Sequence, residues 1–110
     1  MKPLRFIGGS KEDLSAFPDE VRLRMGHELF LVQEGFEPES WIPMRIVGLG
    51  AKEIRVRDAT SAFRVIYVAA FASAIYVLHA FQKKSRATSH KDIELARRRY
   101  REAAAYEESR

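Results

Sequence analysis

The chain of 110 residues contains no cysteine. This absence excludes disulfide bonds and zinc sites built on thiolates, and it fits a reducing compartment such as the cytoplasm. The three histidines, His27, His79 and His90, stand far apart without the spacing of metal ligands, so we expect no metal and no cofactor. The sequence also has no glycine-rich phosphate loop and no visible serine or cysteine nucleophile with a matched base.

Long apolar runs are scarce as well. The one exception extends from about Val65 to Phe81, holds no Asp, Glu, Lys or Arg, and approaches the length of a membrane span. Its β-branched and aromatic composition, with an interruption at Ala72-Ser73, instead predicts two strands. The N-terminal residues lack the apolar region of a signal peptide. We therefore expect a cytoplasmic protein without membrane contact.

Positive charge is concentrated in one half of the chain. Residues 1–50 contain six Lys and Arg against eight Asp and Glu, whereas residues 51–110 contain thirteen against seven. A basic surface attracts anionic partners, of which nucleic acid is the most common. The alternative interpretation is a solvated basic helix face with no partner.

The apolar pattern predicts a single domain over residues 1–110. A short strand near Leu4 leads into a helical hairpin, in which Ser10 is expected to cap the first helix. A loop over residues 36–50 follows, and a last helix capped by Thr88 or Ser89 is expected to fray from about Tyr106. Between them lie three predicted strands, over residues 51–57, 62–70 and 74–82. The order β-α-α-β-β-β-α predicts an α+β domain with a small, mostly antiparallel sheet.

The third of these strands is apolar on both faces, so we expect it to lie at the centre of the sheet. Strict alternation would place Ile75, Val77 and Phe81 on one face, and His79 and Lys83 with them. In the first of the three strands, Glu53, Arg55 and Arg57 all point away from the core.

The chemistry that remains is a set of cations at the strand ends. Its members are Arg55, Arg57, Arg64, Lys83 and Lys84. Neighbouring antiparallel strands could bring them together, and such a cluster near an apolar core is costly unless an anion uses it. Arg64 could contact phosphate with its bidentate guanidinium, or it could leave the sheet at an edge or pair with Glu53.

RNA cleavage would need few further groups, because the ribose 2′-hydroxyl supplies the nucleophile. The protein must orient the phosphate, stabilise its charge and shuttle protons. His79 could move protons, although a buried core histidine is the alternative. His90 lies near the lysines in sequence, where a solvent-facing helix residue is the alternative, and Tyr100 fits the apolar stripe of the last helix.

Four ordered segments carry a family resemblance: EIRVR, AFRVIYV, IYVLHAFQKKS and, after a short linker, IELARRRY. Together they resemble the RelE/ParE toxin superfamily, and most closely its HigB-type, phage-derived branch. The resemblance covers nearly the whole chain. One departure is that Ser89 follows Thr88 where relatives usually have proline.

The resemblance implies the toxin of a type II toxin–antitoxin module. Toxins of the RelE and HigB types cut mRNA on the translating ribosome without a metal, and they pair with a helix-turn-helix (HigA-like) antitoxin. By position it implies catalytic roles for Arg64, Lys83 and Lys84, and less directly for His79. The RNA-binding residues predicted with them are Arg55, Arg57, Arg86, His90, Arg97 and Arg98.

Other functions fit the same sequence. ParE-type members share the fold and bind a protein target such as DNA gyrase without cleaving RNA. An inactive remnant would bind only its antitoxin. A general RNA-binding domain is less consistent with the sequence, because most aromatic residues fall at core spacings rather than at positions exposed for base stacking.

Overall fold

The computed structural model describes residues 1–84 and 86–110. The elements in chain order are β1 (Leu4–Phe6), α1 (Ser10–Ser15), α2 (Asp19–Gln33), β2 (Trp41–Pro43), β3 (Ala51–Arg57), β4 (Ala62–Val68), β5 (Ile75–Lys83) and α3 (His90–Glu108). The predicted α+β architecture and element order are confirmed. The structure adds one short strand, β2, within the segment predicted to be a loop.

The five strands form one sheet in the order β1-β5-β4-β3-β2. Only β1 and β5 are parallel, and every other neighbouring pair is antiparallel. The middle strand is therefore β4, not β5 as expected from the sequence. β5 is nevertheless interior and covered on both faces, which explains why both of its faces are apolar.

Helices cover both faces of the sheet. On one face α2 buries Val21, Met25 and Leu29, whose spacing of four residues places them on one side of the helix. On the other face α3 packs through Ala96 and Ala103, both fully buried. Small side chains at these positions let the helix axis lie close to the strands.

A one-residue bulge in β5 changes which side chains share a face. Its register against β4 passes from Ile66 opposite His79 directly to Tyr67 opposite Val77, so Leu78 has no partner of its own. The prediction of strict alternation is therefore wrong beyond this point. Phe81 lies on the α3 face rather than with Val77. The reason is that one inserted residue moves every later side chain of the strand to the opposite face of the sheet.

The two helix ends singled out in the sequence behave differently. Of the two predicted candidates, Thr88 and Ser89, it is Ser89 that caps α3, and its Oγ accepts the Asp92 N–H at 3.1 Å. Ser10 does not cap α1. It is the first helical residue, fully buried, and its hydroxyl donates to the Val77 carbonyl.

The C-terminal helix extends to Glu108, past the point where fraying is expected, because Glu107 accepts hydrogen bonds from Ser73 and Tyr76. Within the described parts of the chain, none of the helices combines the length and apolarity that crossing a membrane requires.

Candidate nucleic-acid site at the end of the sheet

The predicted cations lie in successive rows across the α3 face of the sheet. The outermost row joins Arg57 of β3, Ala62 of β4 and Lys83 of β5. The next row joins Arg55, Arg64 and Phe81. Arg55 and Arg64 are direct cross-strand partners of like charge, an arrangement that is destabilising unless something else compensates it.

The outer rows open into a concavity of about 450 Å³ beyond the start of α3. Its cationic lining consists of Arg57, Arg64, Lys83, Lys84 and Arg86. The hairpin turn between β3 and β4, held by Asp58 bonds to the Thr60 and Ser61 N–H groups, forms its rim. Lys84 follows the last residue of β5, so the end of the strand lets both lysines reach the same concavity.

The residue that compensates this charge is Glu53, whose side chain is fully buried. Its Oε1 lies 3.3 Å from Arg64 Nε and 3.5 Å from Arg55 Nε, contacts that are ion pairs but fall short of hydrogen-bond geometry. Its Oε2 accepts a 2.8 Å hydrogen bond from Thr88 Oγ1. One carboxylate therefore forms ion pairs with two arginines and also accepts a hydrogen bond from the segment before α3.

Arg64 is 5% exposed, and its Nη1 donates to the Phe63 carbonyl at 3.1 Å. Burial is the main reason that the pKa of Arg64 lies below its ordinary value. Glu53 opposes this effect, whereas Arg55 and Arg57 add to it. The group still carries its charge at every physiological pH. An ion-paired cation held this rigidly is suited to orienting an oxyanion.

Lys83 is half-buried, and its pKa is also lowered, first by burial and then by Arg64 and Arg55, with Glu53 acting in the opposite direction. A lysine of this kind both attracts an anion and gives up a proton more readily than an exposed one. The concavity therefore contains fixed positive charge together with a group able to exchange a proton.

His79 lies outside the concavity. It is 6% exposed, its Nε2 is 2.7 Å from Asp92 Oδ1, and its ring stacks on Phe81 with centroids 4.6 Å apart. This geometry favours the alternative of a buried, hydrogen-bonded core histidine over a direct proton shuttle. Tyr100 likewise packs against the α3-side core, and its hydroxyl donates to the Leu49 carbonyl.

Three predicted RNA-binding residues of α3 lie away from the lining. The side chain of His90 is 88% exposed and 3.9 Å from Glu94. Arg97 donates to the Ile46 carbonyl in the loop before β3, and Arg98 is exposed further along the helix. The structure therefore brings Arg57, Arg64, Lys83, Lys84 and Arg86 together in the lining. It holds Arg55 beside Glu53 but outside the lining, and it leaves these three residues on the surface of α3.

Elsewhere the ligand atoms of His27, Glu28 and Glu39 lie within 4.8 Å of one another. Sequence spacing did not indicate this group, because Glu39 comes from the loop after α2. Glu28 has a structural partner there, since its Oε2 accepts the Glu39 N–H at 2.6 Å.

From the sequence, Glu53 is predicted only as a possible partner of Arg64, and neither Phe81 nor Asp92 is predicted as a site residue. A signal for Glu53 was present, because an acid two residues before Arg55 on the outward face of the same strand must lie beside it. No comparable signal existed for Asp92, whose approach to His79 depends on how α3 docks.

Fold and site together define a small α+β protein with a concentrated cationic concavity at one end of its sheet. The comparison with protein families is consistent with this class. The model of the family described as phage derived protein Gp49-like (DUF891) matches residues 12–101. The chain belongs to this RelE/HigB-like toxin family, so the resemblance is confirmed at the family level. No curated protein matches the chain.

Proposed function

We propose that the protein is the toxin of a type II toxin–antitoxin module, of the HigB type, and that it cleaves mRNA on the ribosome in the cytoplasm. The observation that carries the proposal is the convergence of Arg57, Arg64, Lys83 and Lys84 on one concavity. Membership of the Gp49-like family supports the toxin assignment. Its partners would be a helix-turn-helix antitoxin and the translating ribosome.

The geometry suits attack of the ribose 2′-oxygen on the adjacent phosphorus, in which the 2′-hydroxyl loses its proton to water and the bond from phosphorus to the 5′-oxygen breaks. Arg64, fixed by Glu53, would hold the scissile phosphate and stabilise the charge that develops on its non-bridging oxygens. Lys83 would contact the same phosphate, and its lowered pKa suits it to donate a proton to the leaving 5′-oxygen. Arg57 and Lys84 at the rim would bind the flanking backbone.

The test is induction in bacterial cells of the wild type and of matched charge-removing variants. Arg57→Ala and Lys83→Ala remove cations from the concavity, whereas Lys91→Ala removes an exposed cation from α3. Growth is followed, and the 5′ ends of a reporter mRNA are mapped. We expect cuts within translated codons for the wild type and Lys91→Ala, and at least tenfold fewer for the two concavity variants.

Two results would contradict the proposal that the protein cleaves mRNA. Growth arrest with intact mRNA would favour a ParE-like protein target. Absence of arrest from a folded, expressed protein would favour an inactive remnant that only binds its antitoxin. Repeating the assay with purified protein, with and without ribosomes, tests the ribosome dependence separately.

A further inference from the structure

A second, smaller concavity adjoins the cationic one. Its volume is about 280 Å³, near the lower end for ligand pockets, and Lys83 and Lys84 line both concavities. Its other walls include Phe81, Ser89 and Asp92. The two lysines thus separate a strongly basic space from one that contains an aromatic ring, a hydroxyl and a carboxylate.

The carboxylate in this second space is held in a fixed position. Asp92 Oδ1 is 2.7 Å from His79 Nε2, and Asp92 Oδ2 accepts a 2.7 Å hydrogen bond from Ser89 Oγ. Both bonds use only part of the acceptor capacity of the carboxylate, whose side chain remains 29% exposed. An N–H donor entering the concavity would therefore meet an acceptor that needs no rearrangement.

The aromatic wall is fixed in the same way. Phe81 is partly buried, and the His79 ring stacks on it at an interplanar angle of 22°. The single imidazole of His79 thus supports both the ring and the carboxylate. This arrangement gives the buried histidine a positioning role, which accounts for a polar residue in the core.

We propose that this second concavity is a nucleobase subsite, in which the base next to the bound phosphate packs against Phe81 and donates its exocyclic amino group to Asp92. The inference rests on the proposed function, because binding of the phosphate in the cationic concavity brings the attached base to the second concavity. Adenine, cytosine and guanine carry such an amino group. Uracil lacks one, so the subsite discriminates against uridine.

The direct test is a titration of isotope-labelled full-length protein, followed by amide NMR signals. The probes are inorganic phosphate, ribose 5-phosphate and the four ribonucleoside monophosphates. All should shift the signals of Arg64 and Lys83, and only the nucleotides should also shift those of Phe81, Ser89 and Asp92. We expect AMP, CMP and GMP to bind about fivefold or more tightly than UMP.

Variants separate base recognition from phosphate binding. Phe81→Leu should weaken nucleotide binding and leave phosphate binding unchanged. Asp92→Asn should bring UMP to within about twofold of the other nucleotides, since the amide can also donate to a carbonyl. Glu94→Gln is the matched control, because it neutralises a half-exposed acid of the same helix away from the subsite.

The outcomes distinguish this inference from the proposed function. Equal binding of nucleotides and ribose 5-phosphate, without shifts at Phe81 or Asp92, would remove the base subsite and leave the phosphate site intact. Absence of any shift at Arg64 or Lys83 with every probe would overturn the phosphate site, and the base subsite with it.

Discussion

Arg64 Nε lies 3.3 Å from Oε1 of Glu53, a carboxylate with no exposed surface. This pairing explains how an arginine can stand in a strand that is otherwise entirely apolar. Arg55 shares the same carboxylate at 3.5 Å, so two cations depend on one anion and the cluster keeps an excess of positive charge. Phosphate binding and pairing with Glu53 are alternatives for Arg64 from the sequence alone, but in this geometry Arg64 can pair with Glu53 and still line the concavity.

Substituting either Arg64 or Glu53 should destabilise the folded protein. We expect Glu53→Gln to lower the free energy of unfolding by about 3 kcal/mol, because it leaves the buried Arg64 without its anion. Arg64→Met should lower it less, by about 1–3 kcal/mol, because Glu53 keeps Arg55 as a partner. The double variant should be at least about 1 kcal/mol more stable than the sum of the two single effects predicts. Urea unfolding measures all three. The control is Arg101→Ala at an exposed position of α3, whose free energy of unfolding should stay within about 0.5 kcal/mol of the wild-type value. If the effects of Arg64→Met and Glu53→Gln simply add in the double variant, the pairing is contradicted.

Lys83 should give the protein an unusual response to alkaline pH. Its pKa in the folded state is lowered, so between the folded and unfolded pKa values the unfolded chain binds more protons. The contribution of Lys83 is therefore unfavourable at neutral pH, and stability is gained as the pH rises through the folded pKa. We expect Lys83→Met to be more stable than the wild type near pH 7, with the difference shrinking by about pH 10. Lys91→Met should show no such convergence, and parallel pH profiles for wild type and Lys83→Met would refute the assignment.

Glu107 should make α3 sensitive to acid. Hydrogen bonds from Ser73 and Tyr76 lower the pKa of its carboxyl group. The stabilisation is present above the unfolded pKa and is lost as the pH falls through the lower folded pKa. Glu107→Gln should therefore melt at a lower temperature than the wild type at neutral pH, and the gap should narrow below about pH 4. Glu108→Gln, at the neighbouring exposed position, is the control. If the melting temperatures of Glu107→Gln and the wild type differ by the same amount at neutral pH and below about pH 4, the charged hydrogen bonds are ruled out.

Gly48 is required by the close approach of Tyr100. A Cβ at position 48 would lie 2.4 Å from the Tyr100 ring, so the ring would have to move and its hydroxyl would lose the Leu49 carbonyl. We expect Gly48→Ala to lower the free energy of unfolding by about 1–3 kcal/mol. Gly26→Ala in α2, where a Cβ would meet nothing within 4 Å, should instead raise it by about 0.5–1 kcal/mol. Chemical denaturation measures both, and equal effects of the two changes would show that Tyr100 does not limit position 48.

Much of the fold could be predicted because its signals are local. The alternation in β3 and the Ser89 cap each depend on residues close together in sequence, and both are present in the structure. The short strand β2 was missed because Trp41–Pro43 has no strand pattern of its own and exists only by pairing with β3.

The sequence by itself determined that the strands would end in cations and that the chain would form an α+β domain, since strand periodicity and helix caps act over a few residues. Only the tertiary structure decided which of those cations meet. The bulge at Leu78 moves the later side chains of β5 to the opposite face of the sheet, so Phe81 and Lys83 lie on the face that holds Arg64. The docking of α3 then buries Glu53 beneath Thr88 and brings Asp92 to His79. Such contacts join residues 13 and 35 positions apart, and packing of the whole core, rather than any local preference, selects them.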